Sequence, residues 1–325
     1  MHENLKVLVT GGTGFLGSVL CRMMQNKSYN LTLLSRHPHK NLNSINYIQG
    51  DLESKGDCNY AVAGADIVVH IAGEKKDQSK FKSVNVKGTM NIFNASIANN
   101  ISRFIHISST GVIGASPFDA NDYNENSACF PNNNYEISKL YAEKIVLRNK
   151  SSNIDTTVLR PSNIFGENDP NQTLLTLSKA VKNRRFAFIG GRQSNINMVY
   201  VKDVAAAIIA LIEHSGKIDG RIFHISDTST IGQFIDGLTD ELGHKRIKLS
   251  FPDYMGKLFR STLRIAKQAK PQIDNISIYG RIASLCNKSR FNTDELEKHL
   301  NFKMPYGWRY GLKQLVAWYR AQGCL

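Results

Sequence analysis

The chain has 325 residues, 42% of them hydrophobic and 21% charged, with a formal net charge of +14. This balance supplies a sizeable core and excludes a disordered chain, and no apolar run approaches the roughly 20 residues of a membrane-spanning helix. The five cysteines form no C-x-x-C pair and the nine histidines form no close-spaced cluster, so reduced structural thiols and no metal are expected.

The first half alternates strand-like and helical stretches. Leu5–Val9 is an apolar run close to the N-terminus, which leaves no room for a leader and makes a cytoplasmic location the expectation. The helical stretch Gly17–Met24 follows, then strands at Leu31–Leu34 and Ile67–Ile71. Next come a helix over Val84–Asn99, a strand at Phe104–Ile107, a helix over Tyr135–Asn149 and a strand at Thr156–Leu159. Such alternation predicts a doubly wound α/β fold, a parallel sheet with helices on both faces. Beyond Arg160 the pattern loosens into a helix near 173–183, a strand at Met198–Val201, a helix over Val204–Glu213, a strand at Arg221–Ile225 and a helix over Ile231–Leu242. The division expected is a nucleotide-binding domain over 1–165 and a smaller substrate-binding region over 166–325, intertwined with the last sheet strands. Within 245–270 eight Lys/Arg face one acid, Asp253. This segment reads as a solvated basic helix, with peripheral membrane contact as the alternative. No nucleic-acid-binding motif accompanies the charge.

Between the first strand and helix, Gly11, Gly14 and Gly17 form Gly-x-x-Gly-x-x-Gly. Gly11 permits the tight turn, Gly14 lets backbone approach a pyrophosphate, and Gly17 lets helix and strand pack closely. The helix start, with Phe15 and Leu16, offers free N–H groups and a positive dipole end to phosphates. A Rossmann fold binding a nicotinamide dinucleotide is therefore expected. The acidic residue that would bind a ribose 2′-hydroxyl at the end of the second strand is absent, and Arg36 stands beside that position. An arginine attracts a 2′-phosphate, which favours NADP over NAD. Asp51, with Leu52 beside it, is placed to accept from the adenine amino group.

Tyr135 and Lys139 lie four residues apart on a predicted helix, hence on one face. An ammonium beside a phenol favours phenolate and lowers its pKa, so that the tyrosine can exchange a proton with a carbinol/carbonyl pair. Ser109 would hydrogen-bond the same oxygen.

With these elements together, the chain resembles the extended short-chain dehydrogenase/reductases, the NAD-dependent epimerase/dehydratase family. The resemblance rests on the glycine loop, His70-Ile71-Ala72-Gly73-Glu74-Lys75, Asn85-Val86-Lys87-Gly88-Thr89, the Ser109-bearing strand, Tyr135-x-x-x-Lys139, Arg160-Pro161-Ser162-Asn163 and Val201-Lys202-Asp203-Val204. It implies cofactor contacts at Ala72, Gly73, Lys75 and Pro161, and a catalytic set of Ser109, Tyr135 and Lys139. It implies substrate contacts at Thr110, Asn163 and Arg281, with Arg290 a further candidate for a diphosphate. Asp203 reads as a helix cap rather than a catalyst. Thr110-Gly111 replaces the Asp-Glu pair of the 4,6-dehydratases, which disfavours water elimination. The leading expectation is hydride transfer at a ring carbon of a nucleotide-linked sugar, with 4-keto-sugar reduction favoured. A nucleotide-sugar 4-epimerase with tightly held NAD, a hydroxysteroid or ketone reductase, and a non-catalytic NADP(H) sensor or scaffold are the alternatives. A homodimer is expected from the family alone.

Overall fold

The computed structural model describes residues 5–25, 27, 29–37, 45–115, 120–148, 154–189, 191–251 and 287–325. Arg281, Cys286 and most of the predicted basic helix lie outside them. The strands are β1 (Leu5–Thr10), β2 (Tyr29–Ser35), β3 (Asn46–Gln49), β4 (Ile67–His70), β5 (Arg103–Ile107), β6 (Asp122–Tyr123), β7 (Asp155–Pro161), β8 (Asn163–Phe165), β9 (Phe188–Ile189), β10 (Asn195–Tyr200), β11 (Arg221–Ile225), β12 (Asp227–Thr230), β13 (Ser250–Phe251) and β14 (Arg290–Phe291). The helices are α1 (Phe15–Gln25), α2 (Lys55–Val62), α3 (Thr89–Ala98), α4 (Asn134–Leu147), α5 (Thr173–Lys182), α6 (Val201–Glu213), α7 (Ile231–Leu242), α8 (Asp294–Leu300) and α9 (Gly307–Ala321).

Seven of the strands form one sheet in the order β11-β7-β5-β4-β1-β2-β3, every neighbouring pair parallel. The Val/Ile/Leu-rich strands at its centre are buried on both faces, as a sheet wrapped by crossover helices demands. On one face Val7, Val9, Ile105, Leu159 and Phe223 join the core that includes α1, α6 and α7. On the other, Leu8, Val68 and Phe104 pack with Ile92, Phe93 and Val146 of α3 and α4. The order reverses direction at β1 and β4, so the crevice of an open α/β sheet lies beyond their C-terminal ends.

The predicted helix over Val84–Asn99 divides in two. Phe81–Gly88 is a π-helical stretch that runs into α3. Its cause is local: the buried Asn85 side chain turns away to bond the backbone of Glu74 and the hydroxyl of Ser138. Several elements carry too little periodicity to stand out in the sequence, among them α2, β3 and β8. β8 pairs in parallel with β10, which pairs in turn with β12, in a second, three-stranded sheet. After residue 166 the chain returns to the first sheet, because α6 packs against α1 and β11 pairs with β7. The start of the predicted basic helix is irregular chain over 244–249, since α7 ends in the left-handed Gly243 with φ 74°. There Arg246 faces Asp236 and Asp240.

Candidate functional site

The glycine loop joins β1 to α1 at the crevice. Gly11 has φ +72°, and a Cβ there would stand 2.6 Å from the amide nitrogen of Ala72 in the loop after β4. A Cβ on Gly17 would collide with the carbonyl of Gly11 and stand 2.7 Å from Cα of Gly12. These two glycines are explained by the fold. Gly14 is not: a Cβ there has Gly11 O at 3.3 Å as its nearest neighbour, and the residue is exposed. The fold itself leaves room for a side chain there. The α1 N-terminus behind it has N–H groups with no intrahelical acceptor, which fits a pyrophosphate.

Arg36 is exposed just past β2, beside β1, and its carbonyl accepts from Gln49 Nε2 of β3 at 3.4 Å. Asp51 follows β3 and turns one carboxylate oxygen to the amide of Glu53 at 3.0 Å. Leu52 is buried, and its carbonyl holds Asn91 of α3. The three therefore line the β1–β3 side of the crevice, where an adenosine would lie.

On the other side, β5 delivers Ser109 and α4 delivers Tyr135 and Lys139. The α4 N-terminus is fixed by Asn133, whose side chain accepts from Glu136 N at 3.0 Å. Glu136 in turn accepts from Asn132 N at 2.7 Å, and a Cβ on Gly111 would stand 3.1 Å from its side chain. The turn after Ser109 is thereby set against the first turn of α4. Ser109 Oγ accepts from Gly111 N at 3.1 Å, so its own O–H remains to be donated. Lys139 is buried, and its ammonium donates to the Ile107 carbonyl at 2.6 Å. The Gly73 loop passes close by, since a Cβ on Gly73 would stand 4.0 Å from Lys139 Nζ. Tyr135 packs edge-on against Phe81, with Lys75 Nζ 5.9 Å from its ring centre.

The electrostatics differ from the sequence expectation in one respect. Burial pushes the Tyr135 phenol up to about 12, with Glu136 adding to it, rather than a lysine drawing it down. Burial lowers Lys139 to about 8, the Glu143 carboxylate opposes that, and Lys75 adds to it.

Of the predicted substrate contacts, Thr110 and Asn163 lie among the described residues and Arg281 does not. Thr110 is buried in the 3-10 turn after Ser109. Asn163 is exposed on β8 and donates to the carbonyl of Asn197 at 3.3 Å. Pro161, its backbone on β7, is buried just before it. Burial pushes the Asp169 carboxyl, beyond β8, above the usual range, and the Asn171 amide and the Lys75 charge oppose it. Arg290 is exposed on β14. Asp203 caps not its own helix but α9, accepting from Tyr306 N and Gly307 N at 2.9 Å each. Two features escaped the sequence reading. The Asn85 clamp needs a π-helix that no periodicity announces. Glu143, by contrast, continues the four-residue step from Tyr135 and Lys139, a visible signal. Among the described residues Cys21, Cys58, Cys129 and Cys324 are free, and no helix is long and apolar enough to cross a membrane.

The NAD dependent epimerase/dehydratase family model matches residues 7–226. Among similar proteins, short-chain dehydrogenase/reductase family 42E member 1 of Xenopus laevis is 29% identical over 76% of this chain and 70% of its own length. The 2-alkyl-3-oxoalkanoate reductase of Stenotrophomonas maltophilia is 28% identical over 62% of this chain, which spans 64% of that protein. The UDP-glucose 4-epimerase of Vibrio cholerae is 25% identical over 78% and 80%. In fold, the chain is similar to the UDP-glucuronic acid 4-epimerase of Bacillus cereus, solved with NAD, at a TM-score of 0.74 and 17% identity over 98% and 99% of the two chains. The chain belongs to the NAD dependent epimerase/dehydratase family and is an NAD(P)-dependent enzyme of the extended short-chain dehydrogenase/reductase type.

Proposed function

We propose that this enzyme is an NADP-preferring oxidoreductase that moves hydride between the nicotinamide and a ring carbon of a nucleotide-linked sugar, in the direction of 4-keto-sugar reduction, with Tyr135 as acid/base. The observation that supports this is the packing of α4, which carries Tyr135 and Lys139, against the turn after Ser109, with Lys139 donating to Ile107 at the end of β5. When bound, the dinucleotide supplies or accepts the hydride. The protein's own part follows from its groups. The α1 N-terminus binds the pyrophosphate, Arg36 the 2′-phosphate, and Asp51 the adenine amino group. Lys139 turns from Ile107 to the nicotinamide ribose hydroxyls, Pro161 backbone faces the carboxamide, and Asn163 reaches the substrate diphosphate. Ser109 donates to the substrate oxygen. Tyr135, kept protonated by burial, donates its proton to that oxygen as hydride arrives, and the ammonium of Lys75, 5.9 Å from the ring centre, stabilises the phenolate left behind. Residues 1–165 form the nucleotide-binding part and 166–325 the substrate-binding part of this proposal, and the assembly is a homodimer.

A second reading is reduction of a lipophilic 3-oxo or sterol substrate. It is favoured by the Stenotrophomonas reductase and by sterol demethylase protein B of Methylococcus capsulatus, 25% identical over 99% of this chain and 100% of that one. A fluorescence titration with NADPH and NADH, repeated on Arg36→Ala, tests the cofactor assignment. Preference for NADPH that collapses in the variant supports the reductase. NAD that co-purifies and does not exchange moves a 4-epimerase to first place. Turnover of 4-keto-sugar nucleotides against 3-oxo acyl and 3-oxosteroid ketones then separates the two substrate classes.

A further inference from the structure

Tyr135, Lys139 and Glu143 follow one another at four-residue steps and share one side of α4. The carboxylate of Glu143 takes two hydrogen bonds from Arg160 of β7, from Nε at 2.9 Å and from Nη2 at 2.7 Å. The two side chains are only 1% and 3% exposed. A fork-on-carboxylate pair sealed from water has essentially one geometry. Its place in the sheet gives that geometry a consequence. Leu159, next to Arg160, accepts from Ser108 N at 2.8 Å. Ser108 stands between Ile107, whose carbonyl receives Lys139, and Ser109. The pair therefore fastens α4 to the strand pair that presents both the lysine's acceptor and the serine.

The charges around Lys139 are few. From the loop after β4 comes Lys75, a like charge. From β4 and β5 come His70 and His106, stacked at 5.3 Å and kept neutral by burial. Tyr135 lies one turn earlier on α4, and Glu143 one turn later is the carboxylate that acts on the ammonium. Arg160 is faced in turn by Cys129 Sγ at 3.5 Å, by His224 of β11 and by Glu125.

We propose that Glu143, locked by Arg160, is a positioning residue for Lys139, one helical turn before it, and holds the lysine's ammonium at the end of β5 that leads to Ser109. This rests on the roles given above to Tyr135 and Lys139.

The test follows the Cε resonance of Lys139 against pH in carbon-13-lysine-labelled protein, with and without NADPH, assigned by its loss in Lys139→Arg. Glu143→Gln keeps the size and an acceptor for Arg160 but removes the charge. Glu143→Asp keeps the charge and shortens the reach. The Lys139 midpoint is expected to fall by about one pH unit or more in Glu143→Gln and to stay near the parental value in Glu143→Asp. An unmoved midpoint in folded Glu143→Gln overturns the proposal. So does the reverse order, Asp shifted and Gln not, which marks a tie of shape alone. Should Glu143→Asp not fold by circular dichroism, the Gln variant decides by itself. The underlying reading has its own control: turnover retained in Tyr135→Phe removes Tyr135 as acid/base without altering the titration of Lys139.

Discussion

The three glycines of the first loop are separable by a single added methyl. At Gly17 the new Cβ meets the Gly11 carbonyl and stands 2.7 Å from Gly12 Cα, both backbone atoms that cannot rotate away. Overpacking of this kind costs about 1–3 kcal/mol, so Gly17→Ala is expected to lower the melting temperature of the cofactor-free protein by several degrees. At Gly14 the nearest atom is 3.3 Å from the new Cβ, and alanine is intrinsically favourable at a helix start, so stability changes by at most about 0.5 kcal/mol. The damage there falls on binding. A methyl between the backbone and a pyrophosphate removes at least one charge-assisted hydrogen bond, about 1.5–3 kcal/mol, or roughly 10- to 150-fold in Kd for NADPH. The assays are thermal unfolding without cofactor and NADPH fluorescence titration. NADPH affinity within about threefold of the parent in Gly14→Ala would falsify the assignment of that loop to the pyrophosphate. An unchanged melting temperature in Gly17→Ala would refute the packing argument.

Three further outcomes are expected. Tyr135→Phe should lose turnover while NADPH binding stays intact, and equal turnover in parent and variant removes Tyr135 as acid/base. His70 and His224 are buried and lowered from 6.5 to about 3, chiefly by desolvation. Their folded values lie below the unfolded ones, so their contribution is fully present above pH 6.5 and is lost as pH falls toward 3. At pH 5 the loss is about 2 kcal/mol for each, read as a fall in urea midpoint that His70→Gln should partly relieve. An unfolding free energy flat between pH 7 and about 5 contradicts this. Asp203→Asn, which leaves one of the two α9 amides without its carboxylate, should cost about 1–2 kcal/mol in thermal unfolding with NADPH affinity unchanged. An unshifted unfolding curve shows that the cap is dispensable.

The local chemistry of this protein was readable in its residues. The apolar runs of β1, β4 and β5, the glycines between β1 and α1, and the step from Tyr135 to Lys139 are short-range patterns, and short-range patterns survive in a sequence. They indicated the parallel sheet and the family before any coordinates. The bounds of β11 and α7 matched those read from the residues, Arg221–Ile225 and Ile231–Leu242, because the apolar Ile222, Phe223 and Ile225 mark the one and a Thr230 capping box the other. What the residues could not decide were the partners. Asp203 looked like a cap for its own helix, but the amides it satisfies belong to residues a hundred positions later. Lys139 was expected to serve Tyr135, yet in the fold its ammonium rests on a carbonyl of β5 and burial governs the tyrosine. Periodicity fixes which face a side chain occupies. Only the packing of that face against distant strands fixes how much water it loses and which charge stands opposite, and these two terms set the chemistry of Tyr135, Lys139 and Glu143.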